Sequence, residues 1–119
     1  MSFDLMLRDT DGNLFALDEP ETWCGTQPVG GYTESELNIT YNYSWYYRRF
    51  LDEELGIRWL YGRTAKDCVA RLEKAIEPFK DMRRYEKDYW ADTPGNCVAP
   101  LIVLLGWCRK FPDGVFSGD

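Results

Sequence analysis

The stretch CVAPLIVLLGWC, Cys97–Cys108, decides the fold class of this chain. It is apolar on nearly every side apart from the small Gly106, so a helix built from it is hydrophobic all round. Such a helix is stable at the centre of a domain, where other elements cover its faces. Thr93 is a favoured cap and Pro94 a favoured first helical residue, so this helix is predicted to begin there and to lie buried.

Two further helices are predicted before it. Over Ser44–Leu55 the apolar residues recur at helical spacing, and Gly56 is a plausible stop. Over Thr64–Phe79 an apolar stripe indicates an amphipathic helix that lies on the core. Thr64 and Asp67 resemble a capping box at its start, with Asp in place of the longer Glu.

The first forty residues carry the strand patterns. Phe3, Leu5 and Leu7 alternate with polar residues, and a turn at residues 11–12 separates them from a second apolar run, Leu14–Leu17. This pattern predicts a β-hairpin. A third strand is predicted at Leu37–Tyr41, after a loop rich in proline and glycine over residues 18–31.

Strands followed by helices indicate an α+β fold. A small antiparallel sheet, made of the N-terminal hairpin plus one strand, is predicted to pack against three helices, the last of them central and buried. Residues 115–119 are predicted to form a short tail after a turn at residues 110–114. With 119 residues, of which 45% are apolar, residues 1–119 are expected to form a single domain.

The charge of the chain is acidic and unevenly placed. The net charge is −6, and residues 1–40 hold eight acidic residues against Arg8 alone. A protein that binds nucleic acid through its backbone phosphates needs a surface rich in lysine and arginine. Direct binding of nucleic acid is therefore not expected.

The residues that usually carry metal binding and catalysis are scarce. There is no histidine, and the four cysteines show no C-x-x-C spacing, so neither a metal site nor a cofactor is predicted. No nucleophile elbow, phosphate-binding loop or metalloprotease motif is present, and an enzyme is not expected. The candidates by type are Asp88 and Asp92 beside Trp90, where an apolar wall would raise a carboxyl pKa. The cysteines, expected to be reduced core residues, are Cys24, Cys68, Cys97 and Cys108.

The N-terminal residues show no basic segment followed by a hydrophobic stretch, so no secretory signal is predicted. The longest apolar run, Cys97–Cys108, is too short to span a bilayer as a helix. The expected location is cytoplasmic, without membrane association.

Aromatic residues crowd residues 41–50. Three successive rings in a helix, at Trp45, Tyr46 and Tyr47, cover about 200° of arc, so they cannot all face the core. Tyr46 or Tyr47 is predicted to point inward, and Trp45 is predicted to point outward together with the pair Arg48 and Arg49. Packing at the core and its boundary and a binding surface are both open interpretations. The six aromatic residues are Tyr41, Tyr43, Trp45, Tyr46, Tyr47 and Phe50.

The starts of two helices are candidate anion sites, because the first turn of a helix offers unpaired N–H groups. Asn42 and Asn96 each lie at such a start. If the two starts converge, they would hold a phosphate or carboxylate, with arginines as forked donors and an aromatic ring stacking a base. Helix capping is the alternative role. The predicted ligand-binding residues are Tyr41, Asn42, Tyr43, Trp45, Arg48, Arg58, Arg63, Trp90 and Asn96.

Four segments together resemble a family of small uncharacterised proteins encoded in bacteriophages and prophages. They are LNITYNY at residues 37–43, GIRWLYG at residues 56–62, YW with TPGN at residues 89–96, and PDGVFSGD at residues 112–119. The likeness covers about residues 31–119. It implies an origin in the cytoplasm of a phage-infected bacterium, and it implies no catalytic residue.

The leading hypothesis is therefore a non-enzymatic phage accessory protein. Its partner would be a host defence component, so that the protein acts as an inhibitor of bacterial immunity, or a nucleotide-like small molecule. One alternative is a homo-oligomeric interaction module, such as a homodimer, whose exposed tyrosines form the interface. Another is an acidic mimic of nucleic acid, which only the acidic residues of the first third support.

Overall fold

The computed structural model describes residues 2–21, 32–82 and 90–119. This part of the chain is α+β, as predicted, and short 3₁₀ turns over Tyr41–Tyr43, Gly56–Leu60 and Glu77–Phe79 supplement its regular elements. Those elements are β1 (Ser2–Arg8), β2 (Ala16–Glu21), β3 (Tyr32–Glu34), β4 (Glu36–Thr40), α1 (Ser44–Phe50), α2 (Ala65–Ile76), α3 (Pro94–Lys110) and β5 (Val115–Gly118).

Helix α3 begins where its cap residues predict, and it forms much of the core. Thr93 Oγ1 accepts a hydrogen bond from the Asn96 amide at 3.2 Å, and Pro94 is the first helical residue. Leu101 and Leu104 are fully buried, and α2 packs along one side of the helix. A narrow face that includes Ile102 and Gly106 is exposed, so the helix is covered on most sides rather than on all of them.

The main sheet has three antiparallel strands in the order β4-β1-β5. Central β1 pairs Phe3 with Ile39 of β4 and Leu7 with Phe116 of β5. All four side chains are buried, because alternate residues of each strand point to the helical side. The third predicted strand, now β4, is confirmed.

The predicted pairing of the N-terminal hairpin is wrong. The turn is formed, with Gly12 at φ +84° and its amide donating to Asp9 O at 3.0 Å, but only one bridge, between Arg8 and Leu14, follows it. The next strand, β2, pairs instead with β3 in a separate two-stranded sheet. Both edges of β1 are occupied by β4 and β5, which leaves no edge for β2.

Buried Ser35 joins the two sheets. Its hydroxyl donates to Leu7 O at 2.6 Å and accepts from the Phe15 amide at 2.9 Å. Its backbone N–H also donates to Phe15 O, and its carbonyl accepts from Leu7 N, both at 2.9 Å. The chain between residues 18 and 21, predicted as loop, is the second half of β2, and the rest of that predicted loop, residues 22–31, lies outside the described residues.

The predicted tail at residues 115–119 is also wrong, because β5 is an integral strand. On one side it pairs with β1. On the other side Phe116 accepts from the Gly62 amide at 2.8 Å and donates to Arg63 O at 3.0 Å. The burial of Phe116 anchors the segment, and its four residues are too few to show the alternation of a strand in the sequence.

Helix α1 ends at Phe50, earlier than predicted. The carboxylate of Asp52 accepts hydrogen bonds from the Leu55 amide at 2.8 Å and the Glu54 amide at 3.2 Å, which closes a turn. Gly56 follows at φ +58°, a left-handed conformation that favours glycine. The chain therefore reverses after about two turns of helix and continues as a 3₁₀ turn.

The predicted division of the aromatic cluster is confirmed. Tyr46 and Tyr47 are fully buried, whereas Trp45 is 42% exposed, and Arg48 and Arg49 are exposed as well. Tyr46 Oη donates to Ala75 O at 3.0 Å, and Tyr47 Oη donates to Cys97 O at 2.9 Å. The two hydroxyls thus tie α1 to α2 and to α3.

Replacing Tyr46→Phe is expected to lower the free energy of unfolding by about 1–2 kcal/mol, because the last-turn carbonyl of α2 at Ala75 loses its buried donor. Tyr61→Phe is the matched control, since its Oη donates to Asp119 O at an exposed site where water can replace it. Urea denaturation of both variants checks this. An equal loss in the two variants would contradict the role given to the Tyr46 hydroxyl.

Helix α2 has the predicted apolar stripe, with Cys68 and Leu72 fully buried. The predicted capping box is wrong, because the Thr64 side chain makes no capping hydrogen bond. Backbone carbonyls take its place: the Ala65 amide donates to Gly114 O at 2.7 Å, and the Lys66 amide donates to Pro112 O at 3.0 Å. The loop before β5 therefore caps α2.

Candidate functional site

The residues predicted to bind a ligand fall into two groups, one buried and one accessible to solvent. Tyr43 and Asn96 are fully buried. The Tyr43 ring packs edge-on against Tyr47, with centroids 6.5 Å apart, and Asn96 Nδ2 donates to Ala91 O at 2.9 Å. Both residues therefore contribute to the interior. The residues that are exposed or half-buried are Tyr41, Asn42, Trp45, Arg48, Arg58, Arg63 and Trp90.

The two predicted helix starts do approach each other, since Asn42 Nδ2 donates to Trp90 O at 2.9 Å. The backbone amides of the two asparagines are already bonded, however. The Asn42 amide donates to Thr40 Oγ1 and the Asn96 amide donates to Thr93 Oγ1, each at 3.2 Å. Capping by threonine accounts for these amides, so cations elsewhere are better placed to meet an anion.

A groove of about 790 Å³ lies between the end of α1 and the exposed side of α2. Four cations and two acidic residues line it, in a chain whose net charge is −6. The groove therefore concentrates positive charge on an acidic protein. Its lining residues are Trp45, Arg48, Arg49, Phe50, Leu51, Asp52, Glu53, Arg71 and Lys74.

Arg71 is fixed in position on the α2 side of this groove. Its Nη1 donates to Leu51 O and to Asp52 Oδ1, both at 3.2 Å. Its guanidinium carbon lies 4.0 Å from the centroid of the Trp59 ring, and that of Arg63 lies 3.8 Å from the same centroid. Two cations this close to one centroid must occupy opposite faces of the ring, so Trp59 holds two arginines and has no face left for a base.

Asp52 is the acidic residue that organises the groove. Hydrogen bonds from the Leu55 and Glu54 amides, together with the charge and hydrogen bond of Arg71, hold the pKa of its carboxyl below the usual value. Asp52 is therefore ionised at neutral pH and pairs with Arg71. Within the described part of the chain, Arg48, Arg49 and Lys74 make no ion pair.

The sequence-based prediction missed two of these cations, Arg71 and Lys74, and it expected Arg49 to face a partner without naming it among the ligand-binding residues. Arg71 and Lys74 are three residues apart on α2, beside buried Leu72, so they share a side of the helix. That spacing was readable in the sequence. Their proximity to the end of α1 was not, because it depends on how α1 and α2 pack.

A second, smaller pocket of about 180 Å³ adjoins the groove, and Arg48 lines both. In it the Arg58 guanidinium lies 4.9 Å from the centroid of the Phe3 ring and 5.7 Å from that of Tyr41. Arg58 Nη2 also donates to Tyr41 Oη at 3.2 Å, and its Nε donates to Asp119 O at 3.1 Å. The lining residues are Phe3, Tyr41, Ser44, Arg48, Leu55, Ile57 and Arg58.

The predicted residues thus fall into separate places. Tyr41, Arg48 and Arg58 meet in the small pocket, and Trp45 joins Arg48 in the groove. Arg63 lies on Trp59 and donates through Nε to Trp59 O at 2.7 Å. Asn42 and Trp90 line neither depression.

The buried thiols are not nucleophiles at neutral pH. Burial raises the pKa of Cys68 to about 11 and the pKa values of Cys97 and Cys108 to about 12 each, so all three stay protonated. Cys24 and the candidate carboxylate Asp88 lie outside the described residues, and Asp92 is exposed. Among the residues that are described, no three Cys, Asp or Glu side chains cluster closely enough to hold a metal ion.

No family model, no curated protein and no solved structure matches this chain. Over residues 2–21, 32–82 and 90–119, no helix is long and apolar enough to cross a bilayer. A function must therefore be inferred from the side chains that line the groove and the small pocket.

Proposed function

We propose that this chain is a non-enzymatic binding protein that holds a phosphate-bearing, nucleotide-like small molecule in the groove between α1 and α2. One observation carries the proposal: four cations converge on one groove of a protein with net charge −6, and three of them make no ion pair within the described residues. Four cations against Asp52 and Glu53 leave the lining with an excess of positive charge, and an anionic ligand relieves the repulsion among the cations.

The size and the donors of the groove suit such a ligand. Its volume of about 790 Å³ lies within the range of small-molecule sites, roughly 300–1,000 Å³. The guanidinium groups of Arg48 and Arg49 can each donate two parallel hydrogen bonds to a phosphate, and Lys74 adds a point charge. Arg71 is already held by Leu51 O and Asp52, so binding does not have to immobilise it.

The biological setting of the proposal comes from the resemblance to phage-encoded proteins. In an infected bacterium, an accessory protein of this kind would bind a nucleotide-like signal of the host and so inhibit immunity. A host defence protein is the other partner compatible with that role. The concentration of cations in one groove favours the small molecule.

Removing single charges tests the groove. Arg49→Gln and Lys74→Gln are each expected to weaken the binding of inorganic tripolyphosphate about tenfold, because each variant loses a charge-assisted hydrogen bond. Isothermal titration calorimetry at low salt measures the dissociation constants. Lys66→Gln is the matched control on the same helix, since Lys66 is exposed, pairs with Asp113 at 3.4 Å and does not line the groove.

A screen of ligands by thermal denaturation can contradict the proposal. Ligand at about 100 times its dissociation constant stabilises a protein by roughly 2.7 kcal/mol. The screen covers nucleotides, cyclic nucleotides and tripolyphosphate. At least one of these compounds is expected to raise the Tm of the wild type, and to raise the Tm of Lys74→Gln by a smaller amount. No rise with any of them at millimolar concentration, or equal rises in both proteins, would contradict the proposal.

A further inference from the structure

We infer that the small pocket beside the groove receives the base of the nucleotide whose phosphates lie in the groove. This inference rests on the proposed function and extends it, because it names the second half of the ligand and the residues that select it. The pocket residues that carry the inference are Phe3, Tyr41, Ser44, Leu55 and Ile57.

The two sites are placed for one ligand. Arg48 lines both the groove and the pocket, so they meet at its side chain. The stem of Arg48 passes close to Gly56, where an added Cβ would lie 3.4 Å from Arg48 Cγ. Arg48 therefore lies at the junction of the two sites, where the sugar and the first phosphate of a nucleotide would pass.

The size and lining of the pocket suit a single ring system. Its volume of about 180 Å³ is below the roughly 300 Å³ at which sites for whole small molecules begin, so it holds only a fragment. Leu55, which is 53% exposed, and the half-buried Tyr41 ring provide the accessible apolar lining, whereas Phe3 and Ile57 are buried. Such a lining favours a flat, weakly hydrated group over a phosphate.

Arg58 makes the pocket less suited to a second anion. Its guanidinium already lies over the rings of Phe3 and Tyr41 and donates to Tyr41 Oη and Asp119 O. These contacts engage its guanidinium. Among the described residues, by contrast, the side chains of Arg48 and Arg49 make no hydrogen bond and no ion pair, and Arg49 lies 5.6 Å from the centroid of the Phe50 ring. Phosphates are therefore expected in the groove and the ring in the pocket.

Two hydroxyls give the pocket a polar edge. Tyr41 Oη accepts from Arg58, which leaves its own hydrogen to donate. Ser44 Oγ donates to Tyr41 O at 2.6 Å, which leaves its lone pairs to accept. One donor and one acceptor on the rim match the alternating donors and acceptors at the edge of a base.

Trp45 is the competing place for the base, because it is 42% exposed and lines the groove. An open ring covers only one face of a base, whereas the pocket surrounds it on several sides. Contact with side chains from several elements, rather than with one ring, favours the pocket.

The experiment compares the four ribonucleoside triphosphates with inorganic tripolyphosphate, which has no base, by calorimetry on the whole chain. At least one nucleoside triphosphate is expected to bind about tenfold more tightly than tripolyphosphate. Leu55→Trp, which fills the pocket from an exposed position, is expected to abolish that advantage. Ile102→Trp is the matched control. Ile102 and Leu55 are similarly exposed, at 44% and 53%, but Ile102 lines neither site. Ser44→Ala removes the acceptor without adding bulk and is expected to reduce the advantage as well.

The outcomes separate the two proposals. If tripolyphosphate binds and no nucleoside triphosphate binds better, the base pocket is overturned while the phosphate groove stands. If the advantage survives Leu55→Trp and is lost in Trp45→Ala, the base stacks on Trp45 and the pocket is overturned. If neither class of compound binds, the proposed function fails first and the pocket fails with it.

Discussion

Leu104→Ala is expected to lower the free energy of unfolding by about 2–5 kcal/mol, because it leaves a cavity in the centre of the core. Leu104 is fully buried on α3, the helix that packs along α2. Alanine has a higher helix propensity than leucine, so the loss of stability comes from packing and not from the helix itself. Urea denaturation followed by circular dichroism measures it.

Ile102→Ala is the control on the same helix. Ile102 is two residues away and 44% exposed, so its truncation is expected to change the stability by no more than about 0.5 kcal/mol. Comparable losses in the two variants would show that the face of α3 has been misassigned. A negligible loss in Leu104→Ala would contradict the central position of the helix.

Gly114→Ala is expected to cost about 1–3 kcal/mol by overpacking the junction between α2 and β5. An added Cβ would lie 2.8 Å from Leu7 Cγ and 2.8 Å from Phe15 Cε2. Neither neighbour can yield easily: Leu7 is fully buried, and Phe15 stacks on Phe111 with centroids 4.2 Å apart. Gly114 O also accepts the Ala65 amide that begins α2, so a shift of Gly114 disturbs this cap.

Gly106→Ala is the opposite case and the control for the chemistry of the substitution. Gly106 lies inside α3 on its exposed face, with nothing within 4 Å of an added Cβ. Alanine is expected to stabilise the protein there by about 0.5–1 kcal/mol, because it restricts the unfolded chain and favours the helix. Thermal denaturation of both glycine variants should therefore move Tm in opposite directions, and movement in the same direction would refute this account of Gly114.

The helices could be predicted because their signals are local. Thr93 and Pro94 mark the start of α3, and the apolar stripe of α2 is visible over three turns. The early end of α1 could not be predicted, since the turn depends on the Asp52 carboxylate accepting two amides rather than on the helical period. A competing hydrogen bond of this kind leaves no periodic pattern.

Strand pairing was predicted less well than strand position. The alternation of Phe3, Leu5 and Leu7 marks β1, and the turn at Gly12 is formed as expected. Across that turn β1 keeps only the bridge between Arg8 and Leu14, because β4 and β5 occupy its two edges. A sequence specifies local alternation, whereas the choice of partner depends on contacts between distant segments.

The candidate site shows the same division. The exposed side chains of Trp45 and Arg48 followed from the limited arc that a helix can bury. The predicted involvement of Tyr43 and Asn96 stays a prediction that their full burial does not favour. Arg71 and Lys74 line the groove only because α2 packs beside α1, which the sequence did not reveal.

The sequence by itself determined the fold class, the central helix, the inward and outward faces of the aromatic cluster, and an acidic surface poor in catalytic groups. These properties depend on composition and on periodicity within one element. Tertiary structure decided which strand pairs with β1, where α1 ends, and how Arg48, Arg49, Arg71 and Lys74 come to share one groove. The reason is physical: side chains from separate elements meet only after the core has fixed the angles between those elements, and no local pattern encodes those angles.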